Sequence, residues 1–207
     1  HASMQVIRGV LEQIGPTRRF DMTDPAALPA AVAEAAATGR TPIVLVDGVG
    51  SMGGLIDVAA MLAALEPFGG HLYVDDAHGT SIEGPLGAGY AFEALGGTLP
   101  PHVVLAGSLS KAFGGAGGFA VVPSDDDMRV LRKFANPLVF GHSIMLPMLA
   151  ANVAIFVSSS SIRRSTDSSV RRYSPTLASI RVSITSSTRA GSRSIPDLAP
   201  PIAGPDT

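Results

Sequence analysis

The stretch HLYVDDAHG, residues 71–79, is a short apolar run that breaks off into two aspartates and a histidine. Its length and abrupt polar end predict a buried strand over 71–76, with the chemistry-bearing residues at the carboxyl end. The same unit recurs on both sides. PIVLVDG at 42–48, HVVLAGS at 102–108 and GFAVVP at 118–123 also read as strands. Helical patterns lie between and before them. Met4 to Ile14 reads as a helix stopped by Gly15-Pro16, and Asp24-Pro25 starts an alanine-rich helix ending at Gly39. A helix over 56–66 follows, then a short one near Tyr90 to Leu95. Ser124 with Asp125 to Asp127 then makes an acid-rich start before MRVLRKFA, suited to the positive end of a helix dipole. Apolar strands alternating with helices predict an α/β fold, a mostly parallel sheet with helices on both faces. In such sheets ligands gather beyond the carboxyl ends of the strands. Asp47, Asp75 and Asp76, and the run Ser108 to Lys111 all fall there.

Composition bounds the rest. The 207 residues are 46% apolar, enough for a real core, and no apolar run reaches the ~20 residues that span a bilayer. No secretory leader pattern opens the chain, and without cysteine there is no disulfide framework and no thiolate metal site, which suits a cytoplasmic protein. A net charge of -2 gives no reason to expect nucleic acid. The chain opens on His1, not methionine, so it is expected to have been cut from something longer or processed. Its composition changes near Phe156. Val157 to Thr207 holds 14 serines and 7 arginines against 3 acids, a balance of +4, whereas residues 1–156 carry -6. That tail has no sustained period and few large apolar residues, so it is expected to be disordered or to be a frameshifted reading. The expected organisation is a domain over 1–156 and a Ser/Arg-rich tail over 157–207.

Lys111, one of only two lysines, sits in LAGSLSKAFGGAGGFAVV, residues 105–122. The glycines follow the lysine, so the segment lacks P-loop order, and it runs into a strand, unlike a dinucleotide fingerprint. Taken singly, Asp75 reads as a turn cap, His78 as a loop histidine bonded to backbone, and Lys111 as a surface lysine. Together they fit one chemistry. A lysine partly desolvated among small residues has a lowered pKa and can bond to an aldehyde carbon. Neighbouring glycines let a flat cofactor come close to the backbone. A carboxylate such as Asp75 can keep a pyridine nitrogen protonated, the pyridoxal phosphate arrangement, and His78 could donate to the phenolic oxygen of that ring.

The stretches VDDAHGTSIEGPLGAGY and AGSLSKAFGGAGGFAVV, with FGHSIMLP downstream, resemble the α-oxoamine synthases, fold-type I pyridoxal phosphate enzymes. The resemblance covers residues 1 to about 156. It implies an incomplete transferase large domain, with Lys111 bonded to the cofactor, Asp75 on the pyridine nitrogen, His78 on the phenolic oxygen and Ser108 on the phosphate. The opening His1-Ala2-Ser3 is similar to a segment whose histidine stacks on the cofactor ring, and DGVGSMGG makes Ser51 a neighbour of the phenolic oxygen. Gly141 to Ser143 would reach the phosphate bound by the other subunit, which implies a homodimer. Asp47 stands where the family usually has glutamate, and Ala88 where arginine is common. The implied reaction condenses an amino acid with an acyl-CoA, with loss of carbon dioxide, to an α-amino ketone. Two alternatives stay open: another fold-type I reaction such as transamination or aldol cleavage, and a non-catalytic truncated remnant.

Overall fold

A computed structural model describes residues 15–84, 87–141 and 144–166, with side chains of the last helix as far as Phe156. The helix expected over 4–14, His1, Ser143 and residues 167–207 lie outside the described residues.

Helix α1, Ala27–Ala37, opens the described chain. Asp24 precedes it by a turn, where its carboxylate accepts from Ala26 N–H at 2.9 Å, so the helix begins just beyond the Asp-Pro pair. Strand β1, Ile43–Asp47, follows, then a small hairpin of β2, Val49–Gly50, and β3, Gly54–Leu55. Helix α2, Val58–Leu65, is capped by Asp57, whose carboxylate accepts from Ala60 N–H at 2.9 Å, and it passes into a 3-10 turn at Glu66–Phe68. Next come β4, His71–Asp75, α3, Tyr90–Ala94, β5, Val103–Ser108, and β6, Gly118–Val121. Three helices close the described chain: α4, Asp125–Phe134, α5, Asn136–Val139, and α6, Leu146–Thr166.

The main sheet has the order β1-β4-β5-β6. β1, β4 and β5 are parallel, and β6 returns antiparallel to β5 across the glycine-rich loop that carries Lys111. A loop this short cannot make the crossover that a parallel strand needs, so the edge strand reverses. This is the mostly parallel, helix-covered sheet that the alternating pattern predicts.

The core follows from strand periodicity. Val44, Val46, Leu72, Val74, Val103 and Leu105 are buried, while the intervening Leu45, Tyr73 and Val104 are half-buried. Leu28 and Val32 of α1, and Val58, Met61 and Leu65 of α2, complete the same cluster at i, i+3, i+4 and i+7 spacings. α4 buries nothing. The compositional break after Phe156 falls inside α6, whose backbone stays helical to Thr166.

Candidate active site

Register brings the polar strand ends into one line. Asp47 ends β1 opposite Asp75, Asp75 ends β4 opposite Ala106, and Ser108 lies two residues further along β5. The chains leaving the strands stay joined past their ends. Gly48 N–H donates to the Asp75 carbonyl, and Asp76 N–H to that of Ala106, both at 2.8 Å. The carboxyl edges of three adjacent strands thus form one rim.

Each expected site residue on this rim has a definite setting. Asp75 is half-buried, and its Oδ1 accepts from Ala77 N–H at 3.0 Å, the turn cap that a strand-end aspartate commonly makes. The cap fixes the carboxylate's orientation. Burial pushes the Tyr73 hydroxyl upward from its ordinary pKa, and the Asp75 charge adds to the rise. His78 is half-buried in the turn that follows, where Gly79 and Thr80 N–H both donate to the Asp76 carbonyl. Ser51 is exposed at the tip of the β2–β3 hairpin. Ser108 and Ser110 bring their hydroxyls within 2.8 Å, and Ser110 N–H donates to Ser108 Oγ at 3.1 Å. Lys111 follows them.

One expectation is corrected. Lys111 is exposed, along with Ser110 and Ala112, and only Phe113 turns inward, 7% exposed. The loop leaves the sheet at its rim, so its small residues meet solvent and do not wrap the amine; the desolvation expected of this lysine is not supplied by the described residues.

Two residues to which sequence reasoning gives no role are more deeply built in. Asp76 is 3% exposed. Its Oδ2 accepts from Ala91 N–H at 3.2 Å at the start of α3, while Oδ1 is buried without a partner. A Cβ on Gly48, Gly79 or Gly89 would stand 2.3–2.6 Å from one of its carboxylate oxygens. Three backbones close on one carboxyl group. Burial pushes its pKa up to about 6; the N–H groups of Ala91 and Tyr90 oppose the rise, and the neighbouring Asp75 charge adds to it. DDAHG presents its two aspartates alike, and only the glycines at 48, 79 and 89 hint that one of them is enclosed. Asn152 of α6 is the other, with Nδ2 donating to the Ala116 carbonyl at 3.2 Å. No motif marks it. Among the described residues, no group of three or more His, Cys, Asp or Glu could hold a metal ion, and no helix is long and apolar enough to cross a membrane.

Comparison with known proteins gives this rim its kin. Residues 12–186 match the aminotransferase class I and II family. An 8-amino-7-oxononanoate synthase from Geotalea daltonii is 36% identical over 157 residues, covering 75% of this chain and 39% of that protein. One from Pseudomonas fluorescens is 46% identical over 107 residues, covering 50% of this chain and 26% of its own length. The chain thus spans about two fifths, or less, of these curated relatives. Among solved structures, Sphingomonas wittichii serine palmitoyltransferase superposes with a TM-score of 0.56 at 29% identity, over 68% of this chain and 35% of that one. A serine palmitoyltransferase from S. paucimobilis with a bound PLP–myriocin aldimine gives 0.58 at 26%, over 70% and 36%. The chain belongs to the aminotransferase class I and II family, on the α-oxoamine synthase branch to which its DDAHG and SLSKAFGG segments point.

Proposed function

We propose that the protein of which this chain is part is a pyridoxal phosphate-dependent acyltransferase that condenses an amino acid with an acyl-CoA, releasing carbon dioxide and leaving an α-amino ketone. The observation that supports the reading is that Asp75 and Ser108 lie on the ends of adjacent parallel strands, with His78 and Lys111 in the loops that follow them, in a chain 46% identical over 107 residues to an 8-amino-7-oxononanoate synthase. The residues present fit the cofactor. An amine, an oriented carboxylate and a pair of hydroxyls lie on neighbouring strand ends, and Gly114 leaves open space where a Cβ would stand.

When bound, the cofactor supplies an electron sink for the carbanion left when a bond to the amino acid's α-carbon breaks. The chain's residues do the rest. Lys111 would hold the cofactor through its amine and, with the amino substrate bound, would carry a proton to and from the substrate's α-carbon. Asp75, fixed by Ala77 N–H, holds a proton on the ring nitrogen. His78 and Ser51 donate to the ring's phenolic oxygen. Ser108, backed by Ser110, donates to the phosphate. His1 is assigned to ring stacking and Ser143 to the phosphate held by a second subunit, so the working unit is a homodimer, placed in the cytoplasm.

The test is chemical. The chain is mixed with pyridoxal 5′-phosphate and reduced with borohydride, and its peptides are weighed. The expected result is a phosphopyridoxyl group on Lys111 and little on Lys133, which is also exposed but lies in the last turn of α4. Equal labelling of both lysines would sink the reading for this chain and favour the non-catalytic remnant. In a longer product, release of carbon dioxide from an amino acid only when acyl-CoA is present separates condensation from transamination or aldol cleavage.

A further inference from the structure

From Leu146 to Phe156, α6 is mostly exposed, with Leu146 at 73%, Val153 at 48% and Phe156 at 54%. The one buried side chain in that span is polar: Asn152 is 5% exposed. Helices normally bury an apolar stripe, and a polar group is buried at a cost unless its bonding is met. Here it is met by half. Nδ2 donates to the Ala116 carbonyl, 36 residues away, while Oδ1 is buried without a partner against Gly115, where a Cβ would stand only 2.0 Å from it.

What Asn152 holds is the Lys111 loop. Leu109 N–H donates to the Gly117 carbonyl and Gly115 N–H to that of Leu109, both at 2.9 Å, and Gly114 N–H closes a turn on the Lys111 carbonyl at 3.0 Å. The first continues the β5–β6 ladder beyond Ser108 and Gly118, so the sheet places the loop's base, while the other two shape its tip around Lys111. Phe113 anchors one side by packing. Asn152 anchors the other, through its side-chain hydrogen bond to the Ala116 carbonyl. We propose that Asn152 is a positioning residue: it staples the glycine-rich loop to α6 and so fixes where the Lys111 amine stands. An amide suits the task, since aspartate would set a charge against a carbonyl and leucine offers no donor. Gly115 is the matching half, because a side chain there would expel the Asn152 amide.

The inference rests on Lys111 being the cofactor-bonding amine, and its test separates the two ideas. Wild-type chain, N152L, N152D and G115A are each treated with pyridoxal 5′-phosphate and borohydride, and the ratio of label on Lys111 to label on Lys133 is taken. Amide exchange of residues 109–117 and of β4 is followed in the same proteins without the cofactor. Loss of one hydrogen bond should lower the ratio roughly 3- to 10-fold. Loop exchange should rise by a similar factor while β4 protection holds. The double variant N152L/G115A should be no worse than either single change, since both remove one contact. Unchanged ratio and unchanged loop exchange overturn the proposal, and so does loss of β4 protection in every variant, which would make Asn152 a general structural residue. If wild-type Lys111 is not preferred over Lys133, the cofactor reading falls, and loop exchange still reports whether the staple exists.

Discussion

Asp75 and Asp76 share a strand end and differ in everything their surroundings can change. Asp75 faces the rim with its carboxylate capped by Ala77 N–H, whereas Asp76 is enclosed by the backbones of Gly48, Gly79 and Gly89. The enclosed group prefers its proton. Its folded pKa of about 6 lies above the 3.8 expected of an unfolded aspartate, so between these values the folded state binds more protons. Its contribution to stability is therefore fully present below about pH 4 and is lost as pH rises through about 6. Urea titrations at pH 4.5 and 7.5 should show wild-type chain losing about 1–3 kcal/mol from this group over that range. Asp76→Asn should remove that part of the slope; an equal slope in both proteins means that the proton is not held there. The adjacency of the two aspartates is plain in the sequence. Their division is not, because it depends on three glycines 28, 3 and 13 residues away in the chain.

At the scale of elements, α4 is the case where local sequence does nearly all the work. Ser124 Oγ accepts from Asp127 N–H at 3.1 Å and donates to the Asp127 carboxylate, three acids fill the first turn, and Arg132 and Lys133 fill the last. Because α4 buries no residue, its capping energy stays in the helix. Ser124→Ala should destabilise α4 by about 0.5–2 kcal/mol, seen as several-fold faster amide exchange over 128–134. The global unfolding midpoint should scarcely move; a large shift there would show that α4 is packed more firmly than its exposure indicates. α6 is the opposite case. Nothing local announces Leu146–Thr166, which runs across the change to serine and arginine at 157, and its one buried side chain within 146–156 is explained only by a loop 36 residues earlier. The β2–β3 hairpin is similarly silent, at two residues per strand.

At the scale of the whole molecule, all the buried apolar side chains of the described residues except Phe113 form one cluster. The strands β1, β4 and β5 meet α1 and α2 around Val58, Leu65, Leu72, Val74 and Val103, each at most 1% exposed. A single cluster predicts one cooperative transition. Leu72→Ala should lower the unfolding free energy by about 2–5 kcal/mol, read from the midpoint of a urea titration followed by circular dichroism. A wild-type chain with no cooperative transition would instead mark a remnant that cannot hold its site together.

The sequence by itself determined the alternation of strands and helices, the parallel sheet and the family, because apolar periodicity, caps and the DDAHG and SLSKAFGG segments are local signals that tertiary context does not reverse. Only the tertiary structure decided that β6 runs back antiparallel, that Lys111 faces solvent, that Asp76 and not Asp75 is the enclosed acid, and that Asn152 reaches the lysine's loop. Burial and partnership are properties of segments distant in the chain and adjacent in space. No window of residues carries them.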